Sequence, residues 1–295
     1  PFPAYSTRFF ISHFDTLPQT EVSSHQCNIL RNSLPSFVGK YPLSAVSLVG
    51  ILILDISLMI TCLADVLRPN VGKATVALLE HFGATVHFPE TQTCCGQPFF
   101  NSGAEKQTQQ LARHTIEVFA DGRPVVTPSG SCAAMIRAEY PHVFPSSSPW
   151  HARAMELAGR TFELAEFLVH QLGVTKLDAQ YDGTITYHPA CHLRALQADN
   201  AVEQLLDQIK GTHCIPLRKS DQCCGFGGSF SVRYPEISGA MVIDKVSCIE
   251  ETQADAVISS DTGCLMNIEG CLHRNNSKTQ TMHFAELLAT GLNLI

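Results

Sequence analysis

Several features common in other protein classes are missing from this sequence, and each absence excludes a class of function. Basic residues are not in excess, because 20 lysine and arginine residues stand against 27 aspartate and glutamate residues. A protein that binds a phosphate backbone needs a basic surface, so we expect no binding of nucleic acid. The apolar run over residues 43–54 ends at Asp55, short of the roughly 20 residues that a membrane-spanning helix requires. Membrane association is therefore not expected.

Short binding motifs are missing as well. None of the 12 cysteines belongs to a Cys-x-x-Cys pair, from which zinc sites commonly take their ligands. The glycine-rich residues 225–228 lack the spacing of a dinucleotide fingerprint, so neither flavin nor NAD is expected. No secretory signal is recognisable, and a chain of 295 residues is larger than typical disulfide-rich secreted domains. We therefore expect a cytoplasmic protein with reduced thiols.

What the chain does contain is a cysteine pattern that occurs twice. In each copy a single cysteine is followed, after 31 intervening residues, by an adjacent cysteine pair and a glycine, and another single cysteine comes later. The first copy consists of Cys62, Cys94, Cys95 and Cys132, and the second of Cys191, Cys223, Cys224 and Cys264. Such a repeat predicts two similar halves that each bind metal.

Alternating strand and helix patterns surround both copies. The predicted strands, which directly precede the cysteines, cover residues 56–60, 85–88, 124–127, 184–187, 214–217 and 256–259. The predicted helices cover residues 69–82, 104–119 and 202–209, with closing helices at 161–168 and 281–288. The buried stripe of the first helix is expected to consist of Val71, Ala74, Leu78 and Phe82. The Pro- and Ser-rich residues 141–149 predict a surface loop.

This order predicts an α/β fold with two pseudo-repeated lobes. Each lobe is expected to be a short parallel sheet flanked by helices, with the cysteine loops at the carboxyl edge of the strands, where ligands bind in such sheets. The expected divisions are an unassigned N-terminal extension (residues 1–55), a first domain (56–180) and a second domain (181–295).

Four converging thiolates suit an iron–sulfur cluster or a structural zinc. Because the cysteines come from three separate loops and no zinc knuckle is present, iron–sulfur is favoured. Both cysteines of an adjacent pair reach one site only if the chain turns sharply, and Gly96 and Gly225 can supply the positive φ that such a turn needs. The cysteines without a counterpart in the repeat are interpreted as core or surface thiols: Cys27, Cys214, Cys248 and Cys271.

At these residues the sequence resembles the CCG-type cysteine-rich domain family, which includes heterodisulfide reductase subunits, glycolate oxidase iron–sulfur subunits and lactate utilization proteins. The resemblance rests on Thr93-Cys94-Cys95-Gly96, Ser129-Gly130-Ser131-Cys132, His188-Pro189-Ala190-Cys191-His192 and Cys223-Cys224-Gly225. It implies one or two [4Fe–4S] clusters on the eight repeated cysteines. It also implies a subunit of a cytoplasmic complex that oxidises L-lactate to pyruvate, with a ferredoxin-like iron–sulfur subunit and a third protein as partners.

The sequence departs from the family at one position in each half. Members with a non-cubane cluster close each motif with Cys-x-x-Cys, but Ser129 and Asp261 stand at the first of those positions here. This leaves a four-thiolate [4Fe–4S] cluster, an oxygen ligand from Ser129 or Asp261, or a site with an open coordination position.

Three further side chains lie near the second cysteine set. His188 and His192 flank Cys191 and are candidates to ligate iron, orient a thiolate, carry a proton or simply pack on the sheet edge. Arg194 is a candidate to bind a substrate carboxylate or to form an ordinary structural contact.

The residues leave three functions open. The first is an iron–sulfur electron-transfer subunit, a non-autonomous part of an oxidoreductase complex that handles a small 2-hydroxy acid. The second is a glycolate oxidase-like or heterodisulfide reductase-like subunit with 2-hydroxy acid or thiol/disulfide redox chemistry. The third is a scaffold in which zinc in one or both halves locks the fold.

Overall fold

The computed structural model describes residues 54–196 and 200–295. These residues belong to one compact unit that spans residues 51–295. The expected N-terminal extension and Cys27 lie outside the described residues, except that the first strand already begins at Leu54.

The first half alternates short strands with helices. Pro69 is the first residue of the long helix that follows the first strand, a position that needs no backbone donor. The elements are β1 (Leu54–Leu58), α1 (Cys62–Leu67), α2 (Pro69–His81), β2 (Ala84–His87), α3 (Gln97–Phe100), α4 (Glu105–Val118), β3 (Val125–Thr127), α5 (Gly130–Ala134), a π-helical turn (Met135–Glu139), α6 (Tyr140–Val143), α7 (Pro149–Gly159), β4 (Thr161–Glu163), α8 (Leu164–Glu166) and a second π-helical turn (Phe167–Gln171).

The second half repeats this order with fewer insertions. Its elements are β5 (Gln180–Tyr187), α9 (Cys191–Ala195), α10 (Asn200–Leu206), β6 (Lys210–Ile215), α11 (Ser229–Arg233), α12 (Pro235–Glu251), β7 (Ala256–Ser259), α13 (Thr262–Arg274), β8 (Gln280–His283) and α14 (Phe284–Gly291).

The two halves have the same sheet topology. The strand order is β2-β1-β3-β4 in the first sheet and β6-β5-β7-β8 in the second. All neighbouring strands run parallel, so their carboxyl ends meet at one edge of each sheet. The predicted fold class of two repeated α/β lobes with parallel sheets is therefore confirmed.

One hydrophobic core joins the two sheets. Ile56 and Val126 of the first sheet belong to the same buried cluster as Ile185 and Ile258 of the second, and α14 contributes Phe284. The predicted stripe of α2 faces inward, since Val71, Ala74 and Leu78 are fully buried, while Phe82 is half-buried. Each half therefore depends on the other for the burial of its apolar surface.

Three local predictions are corrected by the structure. Each segment predicted as a closing helix begins as a strand, because Thr161–Glu163 pairs with β3 and Gln280–His283 with β7 before the helix starts. The strand predicted at residues 214–217 lies at Lys210–Ile215, and Pro216, which has no backbone donor, follows its end. Part of the predicted loop 141–149 is the helix Tyr140–Val143, since a helix accepts proline in its first turn.

Among the residues that the structure describes, no helix combines the length and apolar character needed to cross a lipid bilayer.

Candidate metal centres

The eight repeated cysteines lie just beyond the carboxyl ends of three strands in each half. Cys62, Cys132, Cys191 and Cys264 each fall in the first turn of a short or long helix that begins at the sheet edge. Backbone N–H groups and the positive end of the helix dipole favour negative charge at such positions. The sheet edge is therefore suited to anionic sulfur.

The four cysteines of the first half converge on one place. Cys62 is hydrogen-bonded to Cys94, and Cys94 to Cys95, while the Sγ atoms of Cys95 and Cys132 are 3.3 Å apart. The hydrogen bond from Cys62 lowers the pKa of Cys94 to about 3. The pKa of Cys95 is raised by its hydrogen bond to Cys132 and by burial. These hydrogen bonds therefore favour the thiolate form of Cys94 and the protonated form of Cys95.

The second half has an equivalent arrangement. Cys191 is hydrogen-bonded to Cys223, Cys223 to Cys224, and Cys224 to Cys264. The hydrogen bond from Cys191 lowers the pKa of Cys223, whereas the pKa of Cys224 is raised by its hydrogen bonds to Cys223 and Cys264. Cysteines far apart in sequence therefore meet in the same pattern in both halves.

Sharp turns place both members of each cysteine pair in one group. Gly96 has φ 88° and Gly225 has φ 84°, as the sequence predicted. The turn lets the backbone N–H of each glycine donate to the first sulfur of its pair, at 3.4 Å to Cys94 and 3.3 Å to Cys223. At Gly225 an added Cβ would lie 2.7 Å from the carbonyl oxygen of Ser238, so this turn needs glycine for its space as well as its φ.

Ser129 and Asp261 are paired with each other rather than aimed at the sulfurs. The Ser129 hydroxyl donates to Asp261 Oδ2 at 3.0 Å and accepts the backbone N–H of Cys132 at 3.2 Å. Asp261 Oδ2 also accepts from the N–H of Ser131, and its Oδ1 accepts from Gly263. These contacts occupy both side chains, so the geometry argues against an oxygen ligand from either residue.

A second contact between the halves involves His192. Gln97, which follows the first cysteine pair, donates through Nε2 to the carbonyl of Ser131 at 3.2 Å, and the same nitrogen lies 3.4 Å from His192 Nε2. His192 Nε2 therefore accepts, and its Nδ1–H faces Cys191 Sγ at 3.7 Å. The first half thus orients an imidazole that hydrogen-bonds a thiol of the second.

His188 is buried beside the second cysteine group. One of its ring nitrogens and the sulfurs of Cys224 and Cys264 all lie within 4.8 Å of one another. Neither ring nitrogen has a hydrogen-bond partner among the described residues. Burial lowers the pKa of His188 to about 3. Sequence patterns indicated that this histidine is near the site, but its lack of partners is a property of the fold.

Arg194 holds the loop that carries the second cysteine pair. Its two terminal nitrogens donate to the backbone carbonyls of Ser220 and Asp221, at 3.0 and 2.5 Å. Both terminal nitrogens of Arg194 therefore make structural contacts, which is one of the two roles considered for this residue.

The remaining described cysteines lie outside the two groups. Cys248 and Cys271 are buried in the core next to the second group, and Cys214 is exposed on β6. These three agree with their interpretation as core or surface thiols. None of the described cysteines forms a disulfide.

Several side chains that support the site were not identified from the sequence. The carbonyl of the second cysteine in each pair accepts a side-chain hydrogen bond, from Tyr140 at 2.7 Å to Cys95 and from Asn267 at 2.8 Å to Cys224. Because the two donors differ in type and in sequence position, the repeat gives no signal for them. Lys245, buried on α12, donates to the carbonyl of Lys219.

Two buried helix caps were also missed. Glu163 and His283 occupy equivalent positions and each begins a capping box with a glutamate three residues later. His283 Nε2 lies 3.2 Å from the carbonyl of Pro128 in the other half. The pattern of a polar residue followed by Glu166 or Glu286 is the sequence signal that finds them, although glutamate and histidine are unusual caps.

The donor set fits a soft metal or an iron–sulfur cluster. Each half offers four sulfurs at one sheet edge, where a glycine N–H donates to the first sulfur of the cysteine pair and neighbouring thiols lower the pKa of that sulfur. A metal ion replaces the thiol–thiol hydrogen bonds by bonds to thiolates. His188 adds a buried imidazole that has no hydrogen-bond partner within residues 54–196 and 200–295.

Comparisons with known proteins agree with this geometry. The cysteine-rich domain family named CCG matches twice, at residues 56–137 and 185–269. Lactate utilization protein A of Anoxybacillus flavithermus is 47% identical over 236 residues, which cover 80% of this chain and 99% of that protein. Lactate utilization protein A of Shouchella clausii is 50% identical over 236 residues, which cover 80% and 98%.

A solved structure shares the fold alone. A hypothetical protein from Helicobacter pylori superposes with a TM-score of 0.56 at 11% identity, over 81% of this chain and 49% of that chain. The doubled family match and the relatives that align over nearly their whole length settle the classification. The chain belongs to the cysteine-rich CCG domain family, in the branch that contains the proteins named lactate utilization protein A.

Proposed function

We propose that this protein is an iron–sulfur electron-transfer subunit of a cytoplasmic oxidoreductase complex that converts L-lactate to pyruvate. Each half would hold one [4Fe–4S] cluster on its four cysteines. When bound, such clusters accept and donate single electrons at potentials that the surrounding protein adjusts. The partners would be a ferredoxin-like iron–sulfur subunit and a third protein of the complex.

The observation that carries the proposal is the convergence of four thiols, twice, at equivalent sheet edges. Residues 32 positions or more apart in sequence meet within hydrogen-bonding distance, in a chain whose relatives are named for lactate utilization. Buried thiols that served only packing would not need this convergence or the N–H groups directed at Cys94 and Cys223.

The contacts between the halves also suit electron transfer. Helices α5 and α9, which carry Cys132 and Cys191, pack so closely that a Cβ on Gly130 would lie 2.9 Å from the Cβ of Leu193. The Ser129–Asp261 and Gln97–His192 contacts cross the same boundary. The protein's own residues thus hold the two sites in a fixed relative position.

Metal analysis of the anaerobically purified full chain tests the cluster proposal. We expect iron and acid-labile sulfide in equal amounts, at about eight of each per chain for two [4Fe–4S] clusters. Four sulfurs also fit one tetrahedral zinc ion, so zinc is measured in the same samples. Zinc without sulfide would overturn the proposal and select the scaffold function.

Redox measurements test the electron-transfer role. The purified subunits of the complex are combined anaerobically, lactate is added, and the spectra of this chain's clusters are followed. We expect reduction that depends on lactate and on the partners. Clusters that stay oxidised with lactate would contradict the role. If clusters that have been reduced with dithionite are then reoxidised by an added disulfide, the heterodisulfide reductase-like chemistry is favoured.

A further inference from the structure

The two metal sites differ at one buried position. Three residues before the first cysteine of each set, the first half has Met59 and the second half has His188. Both side chains are 1% exposed. Met59 packs in the apolar cluster that contains Cys94, Cys95 and Cys132. An imidazole at the same place is not required by packing, since the first half builds its site without one.

The sheet holds the backbone of His188 in place, while its ring has no hydrogen-bond partner among the described residues. Its backbone N–H donates to the carbonyl of Ile258 at 2.8 Å, which continues the pairing of β5 with β7 beyond the last strand residue. Both ring nitrogens are buried and make no hydrogen bond with the described residues. Burying an unpaired polar group costs free energy, because its hydrogen bonds to water are lost and not replaced. A histidine kept at this cost indicates that one of its ring nitrogens binds a group that is not part of the protein, such as a metal ion.

The imidazole ring lies close enough to two of the cysteine sulfurs to bind the same metal ion. One ring nitrogen and the sulfurs of Cys224 and Cys264 are mutually within 4.8 Å. Neutral imidazole is a good ligand for iron and zinc alike, and it competes well beside thiolates. His192, the other histidine near the second site, is already engaged by Gln97 and Cys191.

We propose that His188 is a nitrogen ligand of the metal centre in the second half, alongside Cys224 and Cys264. This inference rests on the proposed function, because it assumes that the second cysteine group binds metal. The two centres are then chemically different: the first keeps four thiolates, whereas in the second the imidazole takes the place of one of the four thiolates assigned to it above. Replacing anionic sulfur by neutral imidazole raises the reduction potential of an iron–sulfur centre, so the second centre is the stronger electron acceptor.

Pulsed electron paramagnetic resonance on the full chain labelled with ¹⁵N-histidine tests the proposal. The chain is purified anaerobically and reduced with dithionite. We expect a strong ¹⁵N hyperfine coupling that His188→Met removes, since this substitution gives the second half the residue of the first. Met59→Ala and His192→Ala are the matched controls, and both should keep the coupling.

The midpoint reduction potential of each metal centre provides a second measurement. His188→Met should lower the midpoint potential of one centre, because the fourth thiolate of the second group can then bind in place of the imidazole, and should leave the other centre unchanged. His188→Cys should retain metal while losing the coupling. The proposal is overturned if the wild-type protein lacks a ¹⁵N coupling, if the coupling is weak as for a hydrogen bond to sulfur, or if it survives in His188→Met.

Failure of the cluster proposal is distinguishable from failure of this one. If the chain contains no iron and sulfide, the labelled protein is loaded with cobalt(II) and examined for histidine coupling in the same set of variants. A coupling to cobalt that disappears in His188→Met supports the ligand while the [4Fe–4S] proposal fails. A chain that binds neither iron nor cobalt overturns both.

Discussion

The hydroxyl of Ser129 donates a hydrogen bond of 3.0 Å to the carboxylate of Asp261, and the two residues occupy equivalent positions three residues before the last cysteine of each repeated set. Each also begins the helix that carries that cysteine. Both side chains are buried. The pair therefore joins the two cysteine groups through the caps of the helices that carry Cys132 and Cys264.

Replacing Asp261 by alanine should destabilise the protein more than replacing Ser129 by alanine. Asp261→Ala leaves the Ser129 hydroxyl and the N–H groups of Ser131 and Gly263 without an acceptor, at a cost of about 3 kcal/mol. Ser129→Ala should cost about 1–2 kcal/mol, since it removes one cap and one hydrogen bond. Thermal unfolding of both single variants and the double variant measures the interaction, and strictly additive effects would contradict it.

The same pair gives a test of the oxygen-ligand hypothesis. Because the Ser129 oxygen is engaged by Asp261 and by the Cys132 N–H, Ser129→Ala should keep the full iron content of the wild-type protein. Colorimetric iron and sulfide analysis of anaerobically purified protein measures this. Loss of iron from the first half would assign a ligand role to the serine oxygen.

Substitution of the second cysteine of either pair should empty one site only. Cys95→Ser and Cys224→Ser each remove one of four thiolates, so each should lower the iron content by about half and reduce thermal stability. Cys248→Ser is the matched control, because Cys248 is a buried thiol in the core beside the second group. Equal iron in all three variants would show that the ligands are assigned wrongly.

The turn after the second cysteine pair should tolerate no side chain. Gly225→Ala places a Cβ 2.7 Å from the Ser238 carbonyl oxygen and also forces a residue with a side chain to φ 84°. Gly122→Ala is the control, because its φ of 80° is similar but nothing lies within 4 Å of the new Cβ. We expect a loss of about 1 kcal/mol for Gly122→Ala from backbone strain alone.

The additional clash should raise the loss for Gly225→Ala to roughly 2–4 kcal/mol. It should also lower the iron content of the second half, since the turn positions Cys223 and Cys224. Urea unfolding and iron analysis of both variants provide the comparison. Similar losses of stability in both variants would mean that the space at Gly225 is unimportant.

Glu163 should make stability depend on pH. Burial raises its pKa from 4.5 to about 8, so the folded state favours the protonated acid. The stabilisation from this group is complete below pH 4.5 and is lost as the pH rises through 8. Glu163→Gln imitates the protonated form, and its stability should therefore exceed that of the wild type by an amount that grows by about 3 kcal/mol between pH 5 and pH 8.

Unfolding of wild type and variant at matched pH values measures this difference, in which titrations shared by both proteins cancel. Glu117→Gln, at an exposed position on α4, is the control and should give no such trend. A constant difference between Glu163→Gln and the wild type across this range would show that Glu163 is ionised in the folded protein.

Particular residues show how far sequence reasoning reached. The spacing of the cysteines and the glycines after each pair predicted the repeat, the sheet edge and the positive φ of Gly96 and Gly225, because these depend on local chain geometry. Residues 161–163 and 281–283 were predicted as parts of helices but belong to strands. Strands of three or four residues give no period, and only pairing with β3 and β7 identifies them. Likewise, Pro141 was predicted to lie in a loop, but it is the second residue of the helix Tyr140–Val143.

The sequence by itself determined the duplicated cysteine sets and the α/β alternation that brings each set to one edge, because parallel strands must end together. Only the tertiary structure decided how the two halves meet. It placed Ser129 against Asp261 and Gln97 against His192. It also placed the ring of His188 beside Cys224 and Cys264, with no hydrogen-bond partner in the part of the chain that the structure describes. Such contacts join residues that are distant along the chain and belong to different repeats, so no local pattern encodes them.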